Sequence, residues 1–285
     1  MKYLSFNALV LFCVLALSLP TAAQQPQIKT PPISVQLWSV KEALKADFHG
    51  TLKAIADMGF AGVEFAGDFG PYNNDPSALK QKLASLGLQA SSAHVGFDAL
   101  TENTLAHTLL FYKTLGVNTL YIPWDERAWD AKRVALFTQQ LNAAHAQAQR
   151  FDMEIGFHNH EREFEPYQGA TFWDYIATHS PNSLPLQLDI GWVQYAQQDA
   201  QALIKAYPQR TRSAHIKVVV KGNSLSPILG NNGIRWDEIL TTLMNEGKTQ
   251  WLILEQEQYP QQMTPLQSVA ASKLGLDKVL ARLQN

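Results

Sequence analysis

Apolar and polar positions along the chain fall into two alternating textures. Short apolar runs of strand length occur at ISVQLW (33–38), FAGVEF (60–65), LQASSAH (88–94), VNTLYIP (117–123), EIGFH (154–158), PLQLDIGW (185–192, a strand with its following turn), RSAHIKV (212–218) and WLILEQE (251–257). Between them lie longer stretches with apolar residues at helical spacing, such as FHGTLKAIADMG (48–59), LTENTLAHTLLFYKTLG (100–116) and WDEILTTLMNEG (236–247). In NDPSALKQKLASLG, Asp75 reads as an N-cap, Pro76 as the first helical residue and Gly87 as the stop. Three times the order is helix, glycine, short apolar strand: DMGFAGVEF, SLGLQASSAH and TLGVNTLYIP. Such a repeat implies parallel strands, because each return to the same edge needs a crossover helix. Eight such units predict a single (β/α)8 TIM barrel over residues 33–285. A doubly wound open sheet is the rival, but no GxGxxG follows the first strand. No linker rich in Gly, Ser or Pro divides the barrel region.

The first residues have a different character. Lys2 is followed by a Leu-rich apolar run from about Ala8 to Leu19, then Pro20 and small residues. This predicts a cleavable signal peptide over residues 1–23, cut after Ala23, with a polar lead-in over 24–32. The apolar run falls short of the roughly 20 residues that a membrane span requires, so no stable membrane anchor is expected. The sole cysteine, Cys13, lies inside this run. The mature chain would then have no disulfide, thiolate zinc site or cysteine nucleophile, which suits an exported protein of the periplasm or medium. A net charge of −2 with no basic cluster argues against nucleic acid as a partner.

In a barrel, polar residues at the C-terminal ends of strands face the mouth. Here those ends carry Gln36 and Trp38, Glu64, His94, Trp124 and Asp125, then His158, His160 and Glu163, Asp189, His215 and Lys217, and finally Glu255 and Glu257. The stretch IGFHNHEREFE (155–165) is the densest. It is not HExxH, since Phe164 stands four residues after His160. So many carboxylates on one rim would repel one another unless neutralised, and a divalent cation does this with mixed carboxylate and imidazole ligands. Each residue also has a plainer reading. Asp189 could cap a turn, His94 could be a hydrogen-bonded structural residue or substrate contact, and Glu64 could be a salt-bridge partner or bind substrate. Trp38 and Trp192 could pack the core or stack on a sugar. Lys217 could be a rim charge or hold a substrate oxygen.

The phrases ISVQLWSV, GFAGVEFAG, IGFHNHEREFEP, LPLQLDIGWV, SAHIKV and LILEQEQY resemble the xylose isomerase-like TIM-barrel family, the sugar phosphate isomerases/epimerases. The likeness runs from about Ile33 to the C-terminus, and the trio HNHxxEF, LDIGW and HIK points to the branch with that signature. The resemblance implies one divalent metal ion (Mn, Co, Mg or Zn) held by Glu163, Asp189, His215 and Glu255, with His158 as the other choice for the first position. His158, His160, Gln36, Trp38, Glu64, His94 and Trp192 would then contact substrate, and Glu163, Glu255 and Lys217 would carry catalysis. The chain departs from the family after HIK, where Val218 replaces an expected Asp and the turn lacks acidic residues.

The implied chemistry is enolisation beside a sugar carbonyl, leading to isomerisation or epimerisation, on a non-phosphorylated sugar because the chain is exported. Elimination from a 3-keto-glycoside shares the same first step. A non-catalytic sugar-binding barrel is the reading from another class. An endonuclease-like barrel would need a multi-zinc cluster and a basic face.

Overall fold

The computed structural model describes residues 30–222, 226–230 and 233–284. The expected signal peptide lies outside the described residues. Among them, eight parallel strands close into a barrel in sequential order. They are β1 (Ile33–Gln36), β2 (Gly62–Phe65), β3 (Gln89–His94), β4 (Thr119–Ile122), β5 (Glu154–His158), β6 (Leu186–Asp189), β7 (Ser213–Ile216) and β8 (Trp251–Leu254). Closure sets Ile33, Ser34 and Val35 of β1 beside Leu252, Ile253 and Leu254 of β8. The (β/α)8 barrel is therefore the fold, and the open sheet is excluded.

The helices that follow the strands are α1 (Phe48–Asp57), α2 (Pro76–Ser85), α3 (Leu105–Leu115), α4 (Val134–Gln149), α5 (Phe172–Thr178), α6 (Ala200–Ala206), α7 (Trp236–Thr242) and α8 (Pro265–Leu283). Their ends follow local chemistry. Asp75 caps α2, its carboxylate accepting from the Ala78 amide at 2.9 Å, with Pro76 in the first turn. Gly116 ends α3 at φ 101°, a left-handed conformation open to glycine. Thr264 and Gln267 form a capping box on α8.

Three local features differ from the expectation. The 185–192 turn is a short helix, Ile190–Tyr195, with Asp189 as its N-cap. The helix predicted to Gly247 changes to a π-turn over Leu243–Gly247. A two-residue hairpin, Pro166–Tyr167 against Ala170–Thr171, follows β5 and is too short for periodicity to reveal.

The apolar core is an annulus between barrel and helices. Val35, Val63, Leu120 and Phe157 of the strands share one contiguous cluster with Leu52, Ile55, Leu79, Leu109 and Leu141 of the helices. The other face of the same strands is polar. Ser34, Gln36, Glu64, Ser92, Gln187 and Ser213 are all buried inside the barrel. Such interiors are usually filled with branched apolar side chains. Here hydrogen bonds fill it instead, among them Ser34 to Ser91 at 2.7 Å and Ser213 donating to the Tyr121 hydroxyl at 3.1 Å. No described helix is long and apolar enough to cross a membrane.

Candidate active site

The column of polar side chains ends at the C-terminal rim in a knot of charged groups. Asp189 is fixed there by its backbone and by half of its carboxylate. Its amide donates to Asn159 Oδ1 at 2.9 Å, and its Oδ1 accepts from the Trp192 amide at 2.9 Å, starting the short helix. Gly191 lets this helix cross β7, because a Cβ there would stand 2.9 Å from the Lys217 carbonyl oxygen. Asp189 Oδ2 is buried without a hydrogen-bond partner. Around it lie Lys217 Nζ at 3.4 Å, His215 Nδ1 at 3.7 Å and His158 Nε2 at 3.9 Å. Glu255 Oε2 lies 2.9 Å from His215 Nδ1 and 3.0 Å from Lys217 Nζ. Asp189, His215 and Glu255 thus form one group of converging ligand atoms, and His94, His158 and His215 form a second.

One layer deeper sits Glu64, wholly buried. Its Oε1 accepts from Gln36 Nε2 at 2.8 Å and pairs with His215 Nε2 at 2.6 Å. Its Oε2 accepts from Ser92 and from Gln187 Nε2, the latter at 2.7 Å. The Gln187 Oε1 in turn meets His94 Nε2 at 2.6 Å and His158 Nδ1 at 2.9 Å.

Burial and charge pull these groups apart in acidity. Burial would lower His215, but Glu64 and Glu255 on its two nitrogens raise it to about 10. Burial alone would raise Glu255, yet the Lys217 ammonium and His215 hold it well below the ordinary carboxylate range. Glu64 is likewise drawn down to about 2 against its burial by His94, His215 and the hydrogen bonds it accepts. Asp189 is pushed up by burial, which Lys217 and His215 only partly offset. Lys217 is raised against its burial by Asp189, Glu255 and Glu257. Burial keeps His158 neutral and lowers His160 to about 3.

Above this floor opens a cavity of about 420 Å³. Its walls include Trp38, Trp124, His94, His158, His160 and Glu255, with Glu257 beside them. Trp38 and Trp124 leave 45% and 50% of their surfaces free, enough for a ring to lie against an indole face.

Of the residues expected at the site, Trp38, His94, His158, His160 and Glu255 are brought to the cavity wall. Gln36 and Glu64 are wholly buried below it. Trp192 and Lys217 stand outside the wall as a stacked pair, Nζ 4.9 Å from the ring. Glu163 belongs to neither group of converging ligand atoms. It is buried in the loop after β5, where Oε2 accepts from the His160 amide at 2.9 Å and Oε1 has no partner. Burial raises its carboxyl to about 8.

The sequence reading passed over Gln187 and Asn159, and placed Trp124 and Glu257 at the rim without giving them a role. Gln187 precedes Asp189 by two, and Glu257 follows Glu255 by two, so the period-two rule puts each pair on one face. Trp124 ends β4 at the cavity. Asn159, which ties the end of β5 to Asp189, has no signal beyond its place between two histidines.

The donor set fits a divalent cation. Two carboxylates and an imidazole without sulfur suit hard to borderline ions. Asp189 Oδ2 adds a buried oxygen that accepts no hydrogen bond and is met by ion pairs alone, with Lys217 Nζ at 3.4 Å and His215 Nδ1 at 3.7 Å. A buried carboxylate oxygen without a hydrogen bond is poorly satisfied by the protein.

The chain belongs to the xylose isomerase-like TIM barrel family, whose profile matches residues 52–277. It is similar in structure to a sugar phosphate isomerase/epimerase of Parabacteroides distasonis, with 21% identity and a TM-score of 0.71 over 89% of this chain and 98% of that one. A D-psicose 3-epimerase, solved in the presence of D-fructose, shares 15% identity and a TM-score of 0.65 over 89% of this chain and all of its own. An L-ribulose 3-epimerase shares 14% identity and a TM-score of 0.62 over 89% of this chain and 97% of its own. At these identities the likeness is one of fold. No curated protein matches the chain.

Proposed function

We propose that this protein is a divalent-cation-dependent isomerase or epimerase of a non-phosphorylated sugar or keto-sugar, working through an enediolate. The observation that carries this reading is the convergence of ligand atoms from Asp189, His215 and Glu255, of which Glu255 lines a ring-sized cavity that Trp38 and Trp124 also wall. The cation would be held by Asp189, His215 and Glu255, with His158 beside them. When bound, it supplies polarisation of a substrate carbonyl, which acidifies the neighbouring C–H.

The chain's own groups do the rest. Trp38 and Trp124 offer flat apolar faces for the C–H side of a sugar ring. Glu255 lines the cavity and is held ionised, so it takes the proton from carbon. Lys217 works from behind, its Nζ 3.0 Å from Glu255 Oε2, keeping that carboxylate charged. His160 is neutral at physiological pH and faces the same cavity, able to accept or pass on a hydroxyl proton. Glu163, paired with Glu255 in the sequence reading, accepts from the His160 backbone amide beside the cavity wall. The N-terminal leader, read as an export signal, favours a substrate without phosphate.

A second outcome of the same enolisation is elimination from a keto-glycoside. It is favoured by two further hollows of about 400 and 340 Å³ that share wall residues with the cavity, Trp38, Ala66 and Gly67 for one and Gly67, His94 and Gly96 for the other.

The test is to load the chain with Mn, Co, Mg or Zn and incubate it with keto-sugars and keto-glycosides in deuterated water. About one ion per chain, with deuterium entering next to the carbonyl, is the expected result, and the product separates isomerase from lyase. Absence of both ion uptake and exchange would leave a sugar-binding barrel as the better account.

A further inference from the structure

Glu64 lies at the centre of the barrel, out of reach of the cavity, and an ionised carboxylate can only accept hydrogen bonds. Every partner that faces it must therefore donate. His215 Nε2, 2.6 Å from Oε1, has to carry a hydrogen. By the same rule Nδ1 donates to Glu255 Oε2 at 2.9 Å in the metal-free chain; since Glu64 holds the hydrogen on Nε2, Nδ1, which also faces Asp189 Oδ2, is the nitrogen that would give up its hydrogen to a cation.

The same logic passes through Gln187. Its amide nitrogen is the atom turned to Glu64 at 2.7 Å and to Ser213 Oγ at 2.9 Å. Its carbonyl oxygen must then face the other way, and it receives His94 Nε2 and His158 Nδ1. His158 is thereby made to carry its hydrogen on Nδ1, leaving the lone pair on Nε2, 3.9 Å from Asp189 Oδ2.

We infer that Glu64 is a positioning residue that sets the hydrogens of both His215 and His158, so that His215 Nδ1 and His158 Nε2 are the nitrogens presented to the cation site. Gln36 and Ser92 hold Glu64 itself, bonding one oxygen each. A carboxylate behind a ligating histidine is a known way to fix a ring and raise its basicity. Here one carboxylate serves one imidazole directly and a second through a glutamine. The inference rests on the proposed cation site for its purpose, but not for its hydrogen placement.

The test is a 15N spectrum of the histidine side chains in the metal-free chain, followed by titration with Cd2+ as the probe. His158 is expected to be neutral with its hydrogen on Nδ1, and Cd2+ is expected to couple to Nδ1 of His215. Glu64→Gln should shift the His158 hydrogen towards Nε2 and weaken Cd2+ binding by about 10–100-fold. A native spectrum with the His158 hydrogen on Nε2, or coupling of Cd2+ to His215 Nε2, would overturn the inference even if the variant fails to fold. Unchanged affinity and unchanged His158 shifts in a folded Glu64→Gln chain would overturn it as well. If the native chain takes up no cation but His158 carries its hydrogen on Nδ1, the cation reading of the site falls and the hydrogen-placing role of Glu64 stands.

Discussion

The two faces of the barrel strands are different materials. On the outer face Val35, Val63, Leu120 and Phe157 meet the helices through non-directional apolar contact. On the inner face Gln36, Glu64, Gln187 and His215 meet one another through bonds in which each partner has a fixed direction. Apolar packing tolerates substitutions of similar volume, whereas a buried polar network is weakened when any one partner is removed. The outer face thus carries stability, and the inner face carries the order that a reaction needs. Solved structures at 14–21% identity share the fold, and a fold does not by itself fix the chemistry of its site.

The largest effect should come from the inner face. Asp189→Asn keeps the oxygen that caps the helix and removes the charge. Cation affinity, read by calorimetric titration, is expected to fall by more than the ~10–100-fold typical of residues behind a metal ligand, and turnover with it. Retained affinity would break the contrast. Next, Leu141→Ala, in the helix layer packed on the outer face, should cost about 2–5 kcal/mol in a urea melt and leave cation affinity of the folded chain unchanged. A parallel loss of affinity would show that the two faces are not separable.

The loop after β5 gives a pH test on the metal-free chain. The Glu163 carboxyl is raised from 4.5 to about 8, so the folded state holds its proton more tightly than the unfolded state. This contribution is fully present below the unfolded value and is lost as pH rises through about 8. Glu163→Gln should therefore flatten the fall in stability between those limits and be the more stable form on the alkaline side. Melting curves that stay parallel across the window would contradict it.

Smaller effects mark the periphery. Trp124→Ala should weaken sugar binding by about 0.5–1.5 kcal/mol without altering cation uptake. Removing the exposed Lys53–Asp57 pair by Lys53→Ala should move the melt by no more than about 0.5 kcal/mol.

The fold was legible because strand and helix periods differ and glycines punctuate them. The rim was legible because polar residues end apolar runs, as Asp189 ends LQLD and Glu255 follows WLIL. Depth was not. Alternation says which face Gln36 and Glu64 occupy, but only the register of neighbouring strands puts Glu64 under His215 rather than beside a substrate. Glu163 lies in a single 3-10 turn, Arg162–Phe164, too short for a period to fix the direction of its side chain, so its surroundings could not be read from HNHxxEF. The capping reading of Asp189 is met by one oxygen, while the other lies among Lys217, His215 and His158.

That split carboxylate has a thermal consequence. With one oxygen tied to the amide of Trp192, the other turns about a fixed pivot and does not choose among rotamers. Warming loosens mobile loops first, and a site built on them fails before the scaffold does. Here the oxygen is released only when the helix Ile190–Tyr195 frays from the end of β6, so the heat tolerance of the site should track that of the barrel itself.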